Sequence, residues 1–114
     1  PDSQRLEATR AILKGPDRPT AIIAYDQFAD RILYAASLEN LRVPEDLSVM
    51  MFSEELVSDI GAKISTVLVP ADLAGQTAVQ MLREKIENPQ HKILATVLPL
   101  QFYFDGTCAP HKPH

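Results

Sequence analysis

The stretch LRVPEDLSVMMFSEEL, residues 41–56, leads from the end of a predicted helix into a buried strand. Pro44 prevents the helix from continuing, and the apolar run LSVMMF follows a short loop. A continuous apolar run is typical of a strand that is buried on both faces, as in a parallel sheet. The run stops at Ser53, Glu54 and Glu55. Open α/β sheets bind ligands at the carboxyl ends of their strands, so a binding site is expected here.

Strands and helices alternate on both sides of this stretch. The predicted elements are a helix over 3–14, a strand over 20–25, a helix after Asp26 that ends near Asn40, a strand over 47–52, a loop or short helix over 54–63, an extended run over 64–70, a helix over 72–88, and one or two strands within 91–107 that are broken near Pro99. The later two helices have apolar residues at helical spacing, which are Phe28, Ile32, Ala35 and Ala36 in one and Leu73, Thr77, Met81 and Leu82 in the other. This alternation favours right-handed crossovers and a mostly parallel sheet, which is an α/β fold.

Composition excludes several classes of protein. The chain has 114 residues, enough for one small domain, with the 46% hydrophobic and 23% charged residues of an ordinary globular protein. A net charge of −4 without a basic stripe argues against direct nucleic-acid binding by this chain. No apolar run approaches the roughly 18 residues that span a bilayer. Residues 1–10 lack the apolar core of a signal peptide, so a cytoplasmic protein is expected.

The sequence contains no evident catalytic or metal-binding constellation. Its single cysteine, Cys108, cannot form an internal disulfide, and no glycine-rich phosphate loop is present. His111 and His114 are three residues apart and could bind a metal, but they lie in the C-terminal tail near no other ligand, so neither a metal nor a cofactor is expected. Glu54 and Glu55 could act as acid and base, but a solvated acidic loop is the simpler interpretation. The sequence therefore indicates a protein that is not an enzyme.

Two strand ends carry side chains suited to a small polar ligand. The run AIIAYD ends in Tyr25 and Asp26, and the run VMMF ends at Ser53. If these strands are parallel neighbours, a ring, a carboxylate and a hydroxyl meet at one edge of the sheet, beside a helix N-terminus. Such a group could hold a sugar. Asp26 could instead serve only as a helix cap, and the two roles are compatible.

The sequence resembles the LacI/GalR family of bacterial transcription repressors in four blocks, whose order and spacing match. Residues 18–55, RPTAIIAYDQFADRILYAASLENLRVPEDLSVMMFSEE, resemble the family pattern PTAIhAxND, a helix, and GhxVPxDhSVhGFDD, where h is apolar. Residues 65–86, STVLVPADLAGQTAVQMLREKI, resemble TTVxQPxxxhGxxAxxhLhxxI. Residues 98–110, LPLQFYFDGTCAP, resemble hPxxhhxRxST, with Asp105 in place of the arginine. The likeness runs from about residue 4 to about residue 110.

The resemblance implies part of a periplasmic-binding-protein-like type I fold, with Rossmann-like, mostly parallel three-layer sheets in two lobes. Residues 1–63 would form the C-terminal lobe, residues 64–110 the crossover strands and a helix packed on the other lobe, and residues 111–114 a tail. The implied function is effector sensing and dimerisation in a regulator that binds operator DNA through a helix-turn-helix absent from this chain. The alternative is a sugar-type solute-binding protein of a transporter, which shares the fold.

The resemblance also places a small-molecule effector against Tyr25, Asp26, Phe52 and Ser53. Asp26 matches the family pattern, whereas Tyr25 replaces an asparagine and Ser53 replaces an aspartate. A hydroxyl is a weaker hydrogen-bond acceptor than a carboxylate and can also donate. The ligand is therefore expected to differ from a typical sugar effector, and Tyr25 could stack on a ring.

A homodimer is implied as well, through the helix after the first strand and the loop after the second. The corresponding residues are Phe28, Arg31, Ile32, Leu56, Val57 and Ile60. Phe28 and Ile32 could equally belong to the intramolecular core. The three apolar residues in the acidic loop are the better interface candidates.

Overall fold

The structure, a computed structural model, describes residues 2–56, 61, 63–92 and 94–111. Its elements are α1 (Asp2–Lys14), β1 (Ala21–Tyr25), α2 (Asp26–Leu38), β2 (Ser48–Ser53), β3 (Ser65–Leu68), α3 (Ala71–Glu87) and β4 (Gln101–Tyr103). The strands form one sheet in the order β1-β2-β3-β4, in which the first three are parallel and β4 is antiparallel to β3. The predicted α/β fold with a mostly parallel sheet is confirmed.

Helix α2 begins and ends where local chemistry favours it. Its first residue is Asp26, and the cap position before it is occupied by Tyr25, which makes no side-chain cap hydrogen bond. Asp26 is therefore not the helix cap that the sequence suggested, but a carboxylate in the first turn interacts favourably with the positive end of the helix dipole. After the last turn, Asn40 adopts a left-handed φ of 57°, which asparagine tolerates better than most residues. Leu41 then donates its N–H to the Ala36 carbonyl at 2.9 Å. This bond closes the helix with a hydrogen-bonded turn.

The hydrophobic core lies between α2 and one face of the sheet. Its buried side chains are Leu13, Ala29, Ile32, Ala35, Ala36, Leu47, Val49, Met51 and Ile64. The three alanines have no exposed surface, and such small side chains let the helix approach the sheet closely. Leu13 extends the same cluster to α1, which packs against α2. The sheet and both helices therefore share one core.

In the part of the chain that the structure describes, the opposite face of the sheet is open along β1 and covered along β3, where Ser65 and Val67 are buried. Val49 and Met51, which point into the core, are fully buried. Ile23 and Tyr25 of β1 are 59% and 66% exposed. The apolar run of β1 predicts burial on both faces, and that prediction is not met among the described residues. The reason is that α1 and α2 lie together on the other side.

Helix α3 stands apart from the other elements. Within the described ranges it packs against no other helix or strand and has no buried side chain. Two leucines of its predicted apolar side, Leu73 and Leu82, are 45% and 61% exposed, and Thr77 and Met81 are half-buried. The expectation that this helix packs on a second lobe stays a prediction.

Strand β4 is the part of residues 91–107 that forms regular structure. The sequence predicts one or two strands there, broken near Pro99. Of the described residues in this region, only Gln101–Tyr103 form a strand. Residues 94–100 have no regular structure.

Residues 105–109, which we call the clasp, follow β4 and bind the amino ends of β2 and β3. Val49 donates its N–H to the Thr107 carbonyl at 2.8 Å. Thr107 Oγ1 donates to the Val49 carbonyl at 2.7 Å and accepts the Ser65 N–H at 2.8 Å. Strand β3 pairs with β2 only from Met50 onward. The clasp therefore provides hydrogen bonds that β3 cannot give to the start of β2.

Replacing Thr107 by Val removes the hydroxyl with little change in volume. The Ser65 N–H loses its partner and the Val49 carbonyl loses one of its donors. We expect the free energy of unfolding to fall by about 2 kcal/mol, measured by urea denaturation of the complete protein. Thr107→Ser keeps the hydroxyl and is the matched control. An equal loss in both variants would show that the hydrogen bonds of the hydroxyl do not account for the loss in Thr107→Val.

The loop before β2, residues 42–46, is closed by an ion pair. The Arg42 backbone N–H and Nε both donate to Asp46 Oδ2, at 2.8 and 3.0 Å. Arg18 Nη1 donates to the Asp46 carbonyl at 2.8 Å. Hydrogen bonds from the side chain and then the backbone of Arg42 lower the pKa of Asp46 from 3.8 to about 2. The same hydrogen bond from its guanidinium to Asp46 raises the pKa of Arg42.

The depressed pKa of Asp46 predicts a loss of stability at low pH. Its contribution is complete above pH 3.8 and is lost as the pH falls through about 2. We expect Asp46→Asn to reduce the fall in the urea midpoint across this window. In an Arg42→Met background, the same substitution should have little effect on the pH profile. A pH profile of Asp46→Asn identical to that of the parent protein would contradict the prediction.

Candidate functional site

The carboxyl ends of β1 and β2 lie side by side at one edge of the sheet. Tyr25 pairs with Phe52 in the parallel register, and their ring centres are 6.0 Å apart with a tilt of 44°. Asp26 and Ser53 follow at the two strand ends. The structure thus brings together all four residues that the sequence assigns to an effector. Their role in binding stays a prediction.

A cavity of about 480 Å³ opens at these strand ends. The residues that line it are Tyr25, Asp26, Phe52, Ser53, Glu54, Val69 and Leu100. A cavity of this size can hold a small molecule. Val69 was not assigned in advance, although the rule for strand ends applies to β3 as well. Leu100 comes from a distant part of the chain, and no local pattern marks it.

A hydrogen-bonded pair forms the polar corner of the cavity. Ser53 Oγ donates to Asp26 Oδ2 at 2.9 Å, and the Glu55 N–H donates to Ser53 Oγ at 3.0 Å. Ser53 is only 5% exposed, whereas Asp26 is exposed. Ser53 is therefore held from two sides, and the Asp26 carboxylate is the more accessible polar group.

The rest of the cavity wall is apolar and partly open. Tyr25 is 66% exposed, Val69 and Leu100 are also exposed, and Phe52 is half-buried. Aromatic rings next to a few polar groups are characteristic of sites for small polar molecules that also have an apolar face.

The described residues that line the cavity include two carboxylates and no Lys, Arg or His. The carboxylates are those of Asp26 and Glu54, and both residues are exposed. This wall of the cavity is therefore negatively charged and has no described cation to balance it.

A second cavity, of about 310 Å³, lies at the amino ends of the strands. Its lining includes Arg18, Thr20, Arg42, Asp46 and His111. The charges of Arg42 and Asp46 pair with each other, and Thr20 Oγ1 is 3.4 Å from His111 Nδ1. Parallel sheets bind ligands at the opposite end of the strands. The 480 Å³ cavity is therefore the candidate site.

The residues assigned to a dimer interface have different surroundings. Phe28 is half-buried, with the guanidinium carbons of Arg5 and Arg31 each 5.8 Å from its ring centre. Ile32 is 7% exposed and belongs to the core, which leaves little of it for a partner. Leu56 is 42% exposed. Two further assigned residues, Val57 and Ile60, lie outside the described residues.

The described ranges contain no candidate metal site and no candidate membrane-spanning helix. They contain no group of three or more His, Cys, Asp or Glu side chains that could hold a metal ion. Cys108 is half-buried, with its Sγ 3.5 Å from the Val49 carbonyl oxygen. None of the helices in the described part of the chain is long and apolar enough to cross a bilayer.

Comparison with known proteins identifies the family. A family model described as a periplasmic binding protein-like domain matches residues 2–106. The ribose operon repressor of Haemophilus influenzae is 32% identical over 91 residues, which cover 78% of this chain and 27% of that protein. The HTH-type transcriptional repressor PurR of Aliivibrio salmonicida is 29% identical over 92 residues, which cover 79% and 28%. The chain thus spans less than a third of the length of either relative.

A solved structure shows the same fold and the same partial coverage. The crystal structure of a LacI transcriptional regulator from Bacillus cereus subsp. cytotoxis matches with a TM-score of 0.83 at 28% identity. The match covers 97% of this chain and 40% of that one. Sequence and fold agree, and the chain belongs to the periplasmic binding protein-like domain family as a LacI/GalR-type member.

Proposed function

We propose that this chain is the effector-sensing and dimerisation region of a LacI/GalR-type transcriptional regulator. The observation that carries the proposal is the 480 Å³ cavity at the strand ends, with the Asp26 carboxylate beside the Tyr25–Phe52 ring pair. Relatives named as the ribose operon repressor and PurR support a regulatory role and not an enzymatic one.

The cavity suits a small sugar-like molecule. The accessible Asp26 carboxylate accepts hydrogen bonds from hydroxyl or N–H groups. Tyr25 and Phe52 contact the apolar face of a ring. Ser53 and Phe52 complete this wall of an interlobe cleft, and a second lobe outside this chain provides the facing wall.

The exposure of α3 supports the proposed division of the chain between two lobes. Residues 1–63 belong to the C-terminal lobe, and residues 64–110 provide the crossover strands and a helix that packs on the other lobe. The exposed leucines of α3, Leu73 and Leu82, support its packing against protein that is absent here. Effector binding favours one arrangement of the two lobes, and the dimer transmits this shift to the DNA-binding heads.

Operator DNA is bound by a helix-turn-helix outside this chain. The net charge of −4 is unsuited to direct contact with phosphates. We place the complete regulator in the cytoplasm, where operator DNA is found.

A homodimer forms through the outer surface of α2 and the loop after β2. Arg5 and Arg31 lie against the Phe28 ring and form an aromatic and cationic surface with it. Phenylalanine and arginine are both enriched at protein interfaces. Leu56 adds an exposed apolar side chain in an acidic loop. Ile32 supports this surface from the core, and Val57 and Ile60 remain assigned to it.

Ligand binding is tested by a thermal-shift screen of the complete protein against sugars and nucleosides. A ligand at about one hundred times its Kd adds about 2.7 kcal/mol to stability, which raises Tm by several degrees. We expect Asp26→Ala to abolish the shift. Asp72→Ala is the matched control, because Asp72 also lies in the first turn of a helix but does not line the cavity. Equal shifts in both variants would contradict the placement of the site.

Dimerisation is tested by sedimentation of the complete protein. Leu56→Asp introduces a charge into the proposed interface, and we expect the dimer dissociation constant to rise about tenfold or more. Leu94→Asp is the control, since Leu94 is also an exposed leucine and lies neither in α2 nor in the loop after β2. Unchanged association in Leu56→Asp would remove this loop from the interface.

A further inference from the structure

Ser53 stands where the family pattern has an aspartate, and its hydrogen bonds restrict what it can do. Its one O–H donates to Asp26 Oδ2 at 2.9 Å. Its oxygen accepts the Glu55 N–H at 3.0 Å. A hydroxyl has a single donor, so none remains for a ligand. With 5% of its surface exposed, Ser53 has little contact area to offer.

The contacts of Ser53 orient the carboxylate of Asp26. One carboxylate oxygen is held by a buried hydroxyl, so the group cannot rotate freely. A hydrogen bond to an ionised acceptor is stronger than a neutral one. Asp26 also lines the cavity, so its remaining acceptor sites are available to a ligand, and less side-chain freedom is lost on binding.

The cavity wall is acidic with no described cation to offset it. Asp26 and Glu54 both line the cavity and are both exposed, and its described lining contains no Lys, Arg or His. A phosphate brought against this wall meets like charge. A neutral hydroxyl, an N–H group or an ammonium group finds acceptors.

We propose that Ser53 is a positioning residue that orients Asp26, and that the resulting acidic wall selects an uncharged or cationic, donor-rich ligand with a flat apolar face over a phosphorylated one. The proposal rests on the proposed sensor function and specifies its ligand class. The Tyr25–Phe52 pair contacts the apolar face, and Asp26 with Glu54 accepts from the donors.

Matched probes test the ligand class in the complete protein. The pairs are D-ribose with ribose 5-phosphate, D-glucose with glucose 6-phosphate, and adenosine with adenosine 5′-monophosphate, and glucosamine adds a cationic probe. Affinities are measured by calorimetry for every probe that raises Tm. We expect each phosphorylated member to bind at least about tenfold more weakly than its neutral partner. Equal or tighter binding of the phosphorylated member overturns the inference but leaves the sensor function intact.

Variants of Ser53 test its positioning role. Ser53→Ala removes the donor, and we expect the affinity of the best neutral probe to fall about tenfold. Ser53→Thr keeps a hydroxyl and should restore most of that affinity. The Tm of each ligand-free variant is measured in parallel. Unchanged affinity in Ser53→Ala, or a loss that Ser53→Thr does not restore, contradicts the positioning role.

Asp26→Asn tests whether the charge of Asp26, and not only its shape, determines the preference for neutral over phosphorylated probes. It keeps the shape of the side chain and removes its charge. We expect the preference for the neutral over the phosphorylated probe to narrow. Asp17→Asn is the control and should leave the preference unchanged, because Asp17 is exposed and adjoins Arg18 at the amino ends of the strands. An unchanged preference in Asp26→Asn overturns the electrostatic part of the inference. Absence of binding by every probe overturns the sensor function and this inference with it.

Discussion

The parallel pairing of β1 with β2 in one register is the constraint on which the candidate site depends. Val49 and Met51 are fully buried against α2. A slip of one residue would turn both side chains away from the core, so burial fixes the register. In that register Tyr25 meets Phe52, and the next residues, Asp26 and Ser53, come within 2.9 Å. Hydrophobic packing in the middle of the strands thus determines polar geometry at their ends.

The direct passage from strand to helix places Asp26 at the edge of the sheet. Tyr25 is the last residue of β1 and Asp26 is the first of α2, with no loop between them. The fully buried alanines let α2 lie close to the strands. A longer connection would allow the carboxylate to move away from Ser53. The core and the candidate site therefore depend on the same helix, because α2 covers the sheet and also carries the Asp26 carboxylate.

Distant segments complete both the sheet and the cavity. The clasp, residues 105–109, binds the start of β2, and Leu100 closes part of the cavity wall. Residue patterns predicted β1, α2 and β2 well, because apolar runs, helical periodicity and Pro44 are local signals. The partners of Thr107 and the place of Leu100 depend on contacts between residues far apart in the chain. No periodicity marks such contacts.

The sequence by itself determined the α/β class, the order of the elements and the likeness to LacI/GalR regulators, since these depend on local periodicity and motif spacing. It also identified the strand ends that meet. Only the tertiary structure decided that Ser53 is buried and bonded to Asp26, that Ile32 belongs to the core, and that α3 packs against no other described helix or strand. Each of these is a matter of which surfaces are covered. Coverage depends on the neighbours of a residue in space, which its neighbours in sequence do not specify.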